Sequence, residues 1–229
     1  KPDEVINSLV ALKVWNRLWK KINYWEDLLK KLPRSYKKWF KEEKKYLQKT
    51  ITPNAKVLEV GCGDGRSIFD ILSKTKNVVG IDHADEAVAD AKNNFSKYPS
   101  VKILKADATQ LPFNNEAFDF VICMTTFANF ADKKFKILEE IRRVLKEFGK
   151  IIISVFSENA LEERMKIYKA FGMKIREIKN GTVIFDDIVD DNVSEQFTKE
   201  QLKEIFYRAN LKIEDITKVN IVYLCTLTK

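Results

Sequence analysis

Histidine is all but missing from this sequence: of 229 residues, only His83 is one. No metal site built from several imidazoles can form, and a nucleophile that needs a histidine base would have to work through that residue. The three cysteines, Cys62, Cys123 and Cys225, are odd in number and far apart, so there is neither a paired zinc spacing nor a disulfide framework. Their usage fits a reducing, cytoplasmic compartment, and no metal is expected. The five prolines and seven glycines are not gathered into a linker, repeat or low-complexity stretch. No apolar run approaches the roughly 18–20 residues that a membrane span needs. The sequence begins at Lys1 and not at methionine, which leaves upstream residues open, and nothing visible resembles a targeting signal.

Net charge is absent from most of the chain. Residues 1–50 hold 14 Lys/Arg against 6 Asp/Glu, whereas the remaining 27 and 27 cancel, so the formal charge of +8 sits at the N-terminus. A basic arm suits an acidic partner such as RNA, although a lysine-rich amphipathic helix is more often a solvated face. In the same region Val5, Leu9, Leu12, Trp15, Leu18, Trp19 and Ile22 recur at helical spacing, and Trp39, Phe40, Tyr46 and Leu47 continue it. Two or three helices broken near Asn23 and Pro33 are expected, holding all four tryptophans, Trp15, Trp19, Trp25 and Trp39. They form either a packed cap or an aromatic, basic surface.

From Lys56 onward strands and helices alternate, the pattern of a parallel sheet covered on both sides. Strands are expected at 56–60, 77–81, 101–105, 118–123 and 150–156, with helices to about Ser73, over 85–95 and 158–170, and a further helix capped by Asp132 and ended by Gly149. Two alternating runs in 174–189 flank Asn180-Gly181, the strongest short hairpin signal. Thr198 with Gln201 reads as a capping box for a helix to Ala209, and strands near 211–218 and 220–227 close the chain. The expected fold class is α/β: a doubly wound, mostly parallel seven-stranded sheet with helices on both faces, an N-terminal helical cap and a β-hairpin insertion after strand five. It forms a single domain of cap (1–50), core (51–156) and a last part (157–229) with hairpin and final strands.

Three of the seven glycines fall in Gly61-Cys62-Gly63-Asp64-Gly65, between the first strand and its helix. Such a turn is where doubly wound folds bind nucleotides, the alternative being a tight connection with no ligand. A dinucleotide fingerprint would place glycine or alanine at 66, where Arg66 stands. Asp82, ending strand two, is placed to accept both hydroxyls of a ribose. Asp107-Ala108, ending strand three, offers a carboxylate and a backbone N–H to an adenine edge.

With these motifs, Val57 to Phe156 resembles the Rossmann-like class I S-adenosylmethionine-dependent methyltransferases, especially the small-molecule type. Val57–Gly65 is similar to the family's glycine motif and Val79–His83 to its ribose motif. Ala106-Asp107-Ala108, Leu111-Pro112-Phe113 and Phe118-Asp119 are similar to its adenine loop and fourth strand, although Phe148-Gly149-Lys150 replaces the usual proline-glycine-glycine. The resemblance implies S-adenosyl-L-methionine as cofactor. The backbone of Gly61, Cys62 and Gly63 would lie against its methionine part, with Glu59 holding the amino group, often through water. Asp82 would take the ribose, His83 the adenine face, Asp107 and Ala108 the adenine edge, and the Cys123 carbonyl the adenine amino group. Each has a structural alternative: Glu59 as a cap of the turn, Asp107 as a loop start, Cys123 as core filling.

Where many relatives carry paired histidines after strand four, this chain has Ala128-Asn129. The expected function is methyl transfer to an O, N or S acceptor on a small molecule, with Asp186, Asp187 or Glu158 as guesses for a base. Trp15, Trp19, Tyr24 and Trp25, together with the hairpin and its Asp186, are expected to form a lid over the acceptor. Two alternatives stand beside this reading, an RNA (tRNA) methyltransferase using the basic N-terminus and a non-catalytic cofactor-binding module. The acceptor and the oligomeric state are not legible.

Overall fold

The computed structural model describes residues 32–170, 172–186 and 193–229. The expected helices before Pro33, with Trp15, Trp19, Tyr24 and Trp25, lie outside the described residues, as does Asp187. Pro33, whose fixed φ suits a helix start, precedes α1 (Arg34–Thr50), which buries Tyr36, Trp39, Glu43 and Leu47 at three- and four-residue spacing.

Seven strands form the main sheet: β1 (Val57–Val60), β2 (Val78–Asp82), β3 (Val101–Lys105), β4 (Phe118–Met124), β5 (Leu145–Phe156), β9 (Lys212–Val219) and β10 (Val222–Thr228). Their order is β3-β2-β1-β4-β5-β10-β9. Neighbours from β3 to β5 run parallel, and β10 runs antiparallel to both β5 and β9. β1 is buried at all four positions, because a parallel strand covered on both faces has no solvated side.

Alternate residues feed two apolar layers. Val57, Val78, Ile103, Ile122 and Ile152 meet α2 (Arg66–Ile71) and α3 (Asp85–Asn94), while Leu58, Val79, Val121 and Ile153 meet α4 (Lys134–Val144) and α6 (Lys199–Arg208). The α/β class with helices on both faces is therefore as the alternation indicates. Order reverses between β1 and β4, and the C-terminal strand ends at this point open the crevice where such sheets bind ligands. Among the described residues no helix is long and apolar enough to cross a membrane.

Asn180 and Gly181 take positive φ at 49° and 80° and join β6 (Ile175–Lys179) to β7 (Thr182–Phe185), as the Asn-Gly pair predicts. β8 (Val193–Ser194) adds a third strand. Buried Arg164 of α5 (Leu161–Ala170) fastens this small sheet, donating to the carbonyls of Gly181 (2.9 Å) and Ser194 and to Gln196 (3.0 Å). The Phe197 N–H donates to the Phe156 carbonyl (2.9 Å) and that of Glu195 to Ala128 (2.8 Å), so the three strands stand beside the ends of β4 and β5.

Three local expectations need correction. Asp132 does not cap α4: it lies in a 3-10 turn (Ala131–Lys133) that leads into the helix already in helical conformation, with Lys133 at the N-cap. Gly149 does not end α4 either. The chain turns extended at Leu145, the Arg143 and Val144 carbonyls accept from Glu116 and Ala117, and β5 begins there. Gly149 lies inside the strand, where a Cβ would stand 2.7 Å from the Leu145 side chain. α5 starts at Leu161 and not Glu158, because the backbone before it is already engaged: Ser157 pairs with Phe197, the Glu158 carbonyl accepts from the Gln196 side chain (2.8 Å), and the Ala160 N–H closes a turn onto Ser157.

The capping box of α6 is complete, the Thr198 hydroxyl accepting from the Gln201 N–H and the Gln201 side chain from the Thr198 N–H. Thr198→Ala should lower stability by about 1 kcal/mol, read as a lower urea midpoint at unchanged slope.

Candidate functional site

The strand-to-helix turn after β1 is formed by positive φ at Gly61 (71°), Gly63 (54°) and Gly65 (94°), and each is held differently. At Gly61 a Cβ would stand 2.2 Å from Thr126 Cγ2, and the Thr126 hydroxyl donates to the Gly61 carbonyl (2.8 Å). At Gly65 the Phe95 ring fills the place of a side chain, and Asn94 donates to the Asp64 carbonyl (2.9 Å). Gly63 alone has nothing within 4 Å of a Cβ position: its outer face is open. The turn is braced from β4 and α3 and left bare where a ligand would lie.

Asp82 is aimed at this turn. Its two carboxylate oxygens accept from the Gly63 N–H (2.9 Å) and the Ala84 N–H (3.0 Å), which orients it across the crevice. His83 follows, exposed, with Nδ1 3.5 Å from Asp82. Asp107 is also exposed, and one oxygen accepts from the Thr109 N–H and hydroxyl, both at 2.8 Å; these bonds hold its carboxyl below the usual range. It therefore does start a loop, bonded to Thr109 through one carboxylate oxygen. Ala108 is half-buried beside it. The next segment, Leu111-Pro112-Phe113, is gripped from α4: Glu140 accepts from the Leu111 N–H (2.7 Å), and Arg143 donates to the Leu111 and Phe113 carbonyls (2.9 and 2.7 Å).

Glu59 is 1% exposed, and its Oε2 is buried without a hydrogen-bond partner. Burial is the chief reason its carboxyl is pushed up to about 8, with Arg66 and Ser67 working the other way. A buried carboxyl oxygen left without a partner is costly and calls for an explanation such as a missing cation. Cys62 and Cys123 are buried thiols raised by burial, and so not nucleophiles at neutral pH. The Cys62 sulfur stands 3.0 Å from where a Gly80 Cβ would lie, a packing role; the backbone N–H groups of Gly61 and Cys62 both donate to the Ile81 carbonyl.

On the other side of the crevice, Thr125 takes a φ of 68°, and its N–H donates to the carbonyl and hydroxyl of Ser154. Ala128 and Asn129 follow in a 3-10 turn. Behind Ala128 lies Glu195, paired with Lys134 at 3.0 Å; burial raises its carboxyl. Of the carboxylates suggested as bases, Glu158 is bound to Lys218 (2.6 Å) and Tyr223 (3.1 Å) beside β9 and β10, and Asp186 is exposed at the end of β7. The structure thus gathers Glu59, Gly61, Cys62, Gly63 and Asp82 around the turn, with His83, Asp107 and Ala108 on the adjoining strand ends. Thr126, Asn94, Glu140, Arg143 and Glu195 were not singled out from the sequence, since they act on segments about 30 to 70 residues away and carry no local signature.

A family model described as "Methyltransferase domain" matches residues 51–210. An uncharacterised protein of Methanocaldococcus jannaschii is 31% identical over 61% of this chain and 66% of its own length. The eEF1A lysine and N-terminal methyltransferase of Bos taurus is 30% identical over 57% of this chain but only 20% of its own. The chain therefore spans less than two thirds of these relatives. Among solved structures, a protein of Pyrococcus horikoshii superposes with a TM-score of 0.67 at 24% identity, covering 86% of this chain and 92% of that one. A Burkholderia thailandensis 1,6-didemethyltoxoflavin-N1-methyltransferase, holding its substrate and S-adenosylhomocysteine, gives 0.65 at 18%, covering 83% and 77%.

The turn makes a paired prediction. Gly61→Ala adds a strained φ and an overlap with Thr126 and should cost about 1–3 kcal/mol of stability. Gly63→Ala meets no neighbour and should cost about 1 kcal/mol while filling the open face. Thermal melts and S-adenosylhomocysteine titrations of both variants check this: the first loses stability most, and the second loses binding out of proportion to stability.

Proposed function

The chain belongs to the methyltransferase-domain family of class I S-adenosylmethionine-dependent enzymes, and on that premise we propose that it moves the cofactor's methyl group to an O, N or S atom of a small molecule. The observation that carries the site is the convergence of a buried carboxyl with one oxygen unpartnered, an open glycine and a backbone-oriented aspartate on one crevice. The residues fit the group: Glu59 would take its ammonium, directly or through water, the bare face of Gly63 would let the methionine part lie against the backbone, and Asp82 would accept from the ribose hydroxyls. Asp107 and the Ala108 amide would read the adenine edge and the Cys123 carbonyl would face its amino group, with His83 against the ring face.

When bound, the cofactor supplies an electrophilic methyl on a sulfonium. The chain's part is to hold the acceptor atom in line and about 3–3.5 Å from that carbon, which can supply roughly 7–11 kcal/mol of barrier lowering, and to keep water out. Small-molecule substrates are favoured by the three-stranded sheet, tied by Glu195 and Phe197 to the ends of β4 and β5, which walls the crevice on the acceptor side. Glu195, whose N–H is bound to Ala128 and whose carboxylate is paired with Lys134 at 3.0 Å, would be a carboxylate able to receive a proton on this side.

One observation favours a second reading. Lys38, Lys41, Lys45 and Lys49 lie on the exposed face of α1, a footprint for the phosphates of an RNA acceptor.

One experiment separates the two. Asp82→Asn should weaken S-adenosylhomocysteine binding about 10- to 100-fold, the worth of hydrogen bonds to a charged group. With wild-type protein, radiolabelled methyl from S-adenosylmethionine should enter the small-molecule fraction of a cell extract. Label confined to RNA or protein would defeat the small-molecule reading, and failure to bind S-adenosylhomocysteine would defeat the site itself.

A further inference from the structure

Glu59 is not isolated. It belongs to a cluster of charged side chains that extends from the crevice to the N-terminal helix. α2 turns Arg66, Ser67 and Asp70 toward it; α1 contributes Glu43, and Cys62 of the turn and Cys123 of β4 complete its surroundings with neutral thiols. Glu43 is fully buried; it accepts from the Trp39 indole N–H at 2.8 Å and pairs with Arg66. Arg66 reaches Asp70 at 3.3 Å and lies over the Phe40 ring at 4.4 Å. Lys44 approaches Asp70 at 3.5 Å.

The charges of Glu43 and Asp70 are matched by Arg66 and Lys44. Glu59, once ionised, is the unmatched member. Arg66 favours its charge and Glu43 opposes it. We propose that Arg66 and Glu43 are positioning residues that set the charge of the Glu59 carboxylate and, through it, how tightly the cofactor's ammonium end is held. Helix α1 would then take part in cofactor binding without contacting the cofactor. This rests on the reading of Glu59 as the partner of that ammonium. Its protonated carboxyl, pushed up to about 8 by burial, must lose its proton to match a cation, so binding below that pH releases a proton, and affinity rises as pH rises toward it.

The test is calorimetry of the full chain with S-adenosylhomocysteine between about pH 6 and 9.5, in buffers of different ionisation enthalpy, reading protons released per ligand bound. The ligand's own ammonium titrates alike in every variant, so differences between midpoints belong to the protein. Wild type should release close to one proton well below pH 8, fading above it. Arg66→Gln should move that midpoint up by about one pH unit and Glu43→Gln move it down, while Arg66→Lys stays with wild type. A purely structural role for the pair would lower affinity in both Gln variants and leave the midpoint in place, or move both the same way; either result overturns the proposal. Should Arg66→Gln not fold, the downward shift in Glu43→Gln and the unmoved midpoint of Arg66→Lys carry the test. Glu59→Gln separates the two layers. If it abolishes proton release, the Glu59 reading stands even where the midpoints of the other variants fail to part. If it releases as wild type does, the reading and the proposal both fall.

Discussion

A chain that leaves the centre of a parallel sheet and must start a helix at once has few paths open to it, and here the path runs through left-handed conformation at three alternate residues. That constraint explains why glycines stand at 61, 63 and 65 and why their neighbours are what they are. The turn cannot hold itself, because each glycine gives up backbone entropy and has no side chain to anchor it. Thr126 just after β4, Asn94 and Phe95 at the end of α3, and Asp82 from β2 supply the anchoring. The site is thus an outcome of how four elements converge, and its one bare place, at Gly63, is where a ligand can meet the backbone.

Arg66 shows how a departure from a motif can carry its own information. Read locally, it is the missing third glycine of a dinucleotide fingerprint. In three dimensions it is the residue through which α1 is joined to the turn, sandwiched between Glu43, Asp70 and the Phe40 ring. A guanidinium suits this place because it offers several donors in one plane and stacks on an aromatic face. Removing one partner of so buried a pair leaves the other uncompensated, which is why such pairs are costly to break even when they add little to stability.

Much of the architecture was legible because strands buried on both faces leave continuous apolar runs, as β1, β2 and β4 do, which fall within a residue or so of their expected bounds; β3, at the sheet edge and at its expected bounds, instead alternates buried Val101 and Ile103 with exposed residues. The Asn-Gly hairpin and the Thr198 box were legible because both are local hydrogen-bond chemistry. What escaped was non-local. The end of α4 is decided by Glu116 and Ala117, 27 residues before the Arg143 and Val144 carbonyls that they take up, and no pattern inside 134–149 announces it. Of the site, the crevice-facing acids were readable from their position after strands. The residues that brace them, Thr126, Glu140 and Arg143, were not, and Asp107 does double duty as ligand candidate and loop start.

The hold of Arg164 on the small sheet bears on how an acceptor could arrive. Its hydrogen bonds among the described residues run to Tyr168, Gln196 and the carbonyls of Gly181 and Ser194, all neutral groups, and its guanidinium lies 4.9 Å from the Phe156 ring. Swinging β6–β8 away would strip a buried cation of the Gly181 and Ser194 carbonyls at once, a cost of several kcal/mol. The small sheet is therefore fastened to α5, and a chain that opened the crevice by moving it would first have to expose that cation.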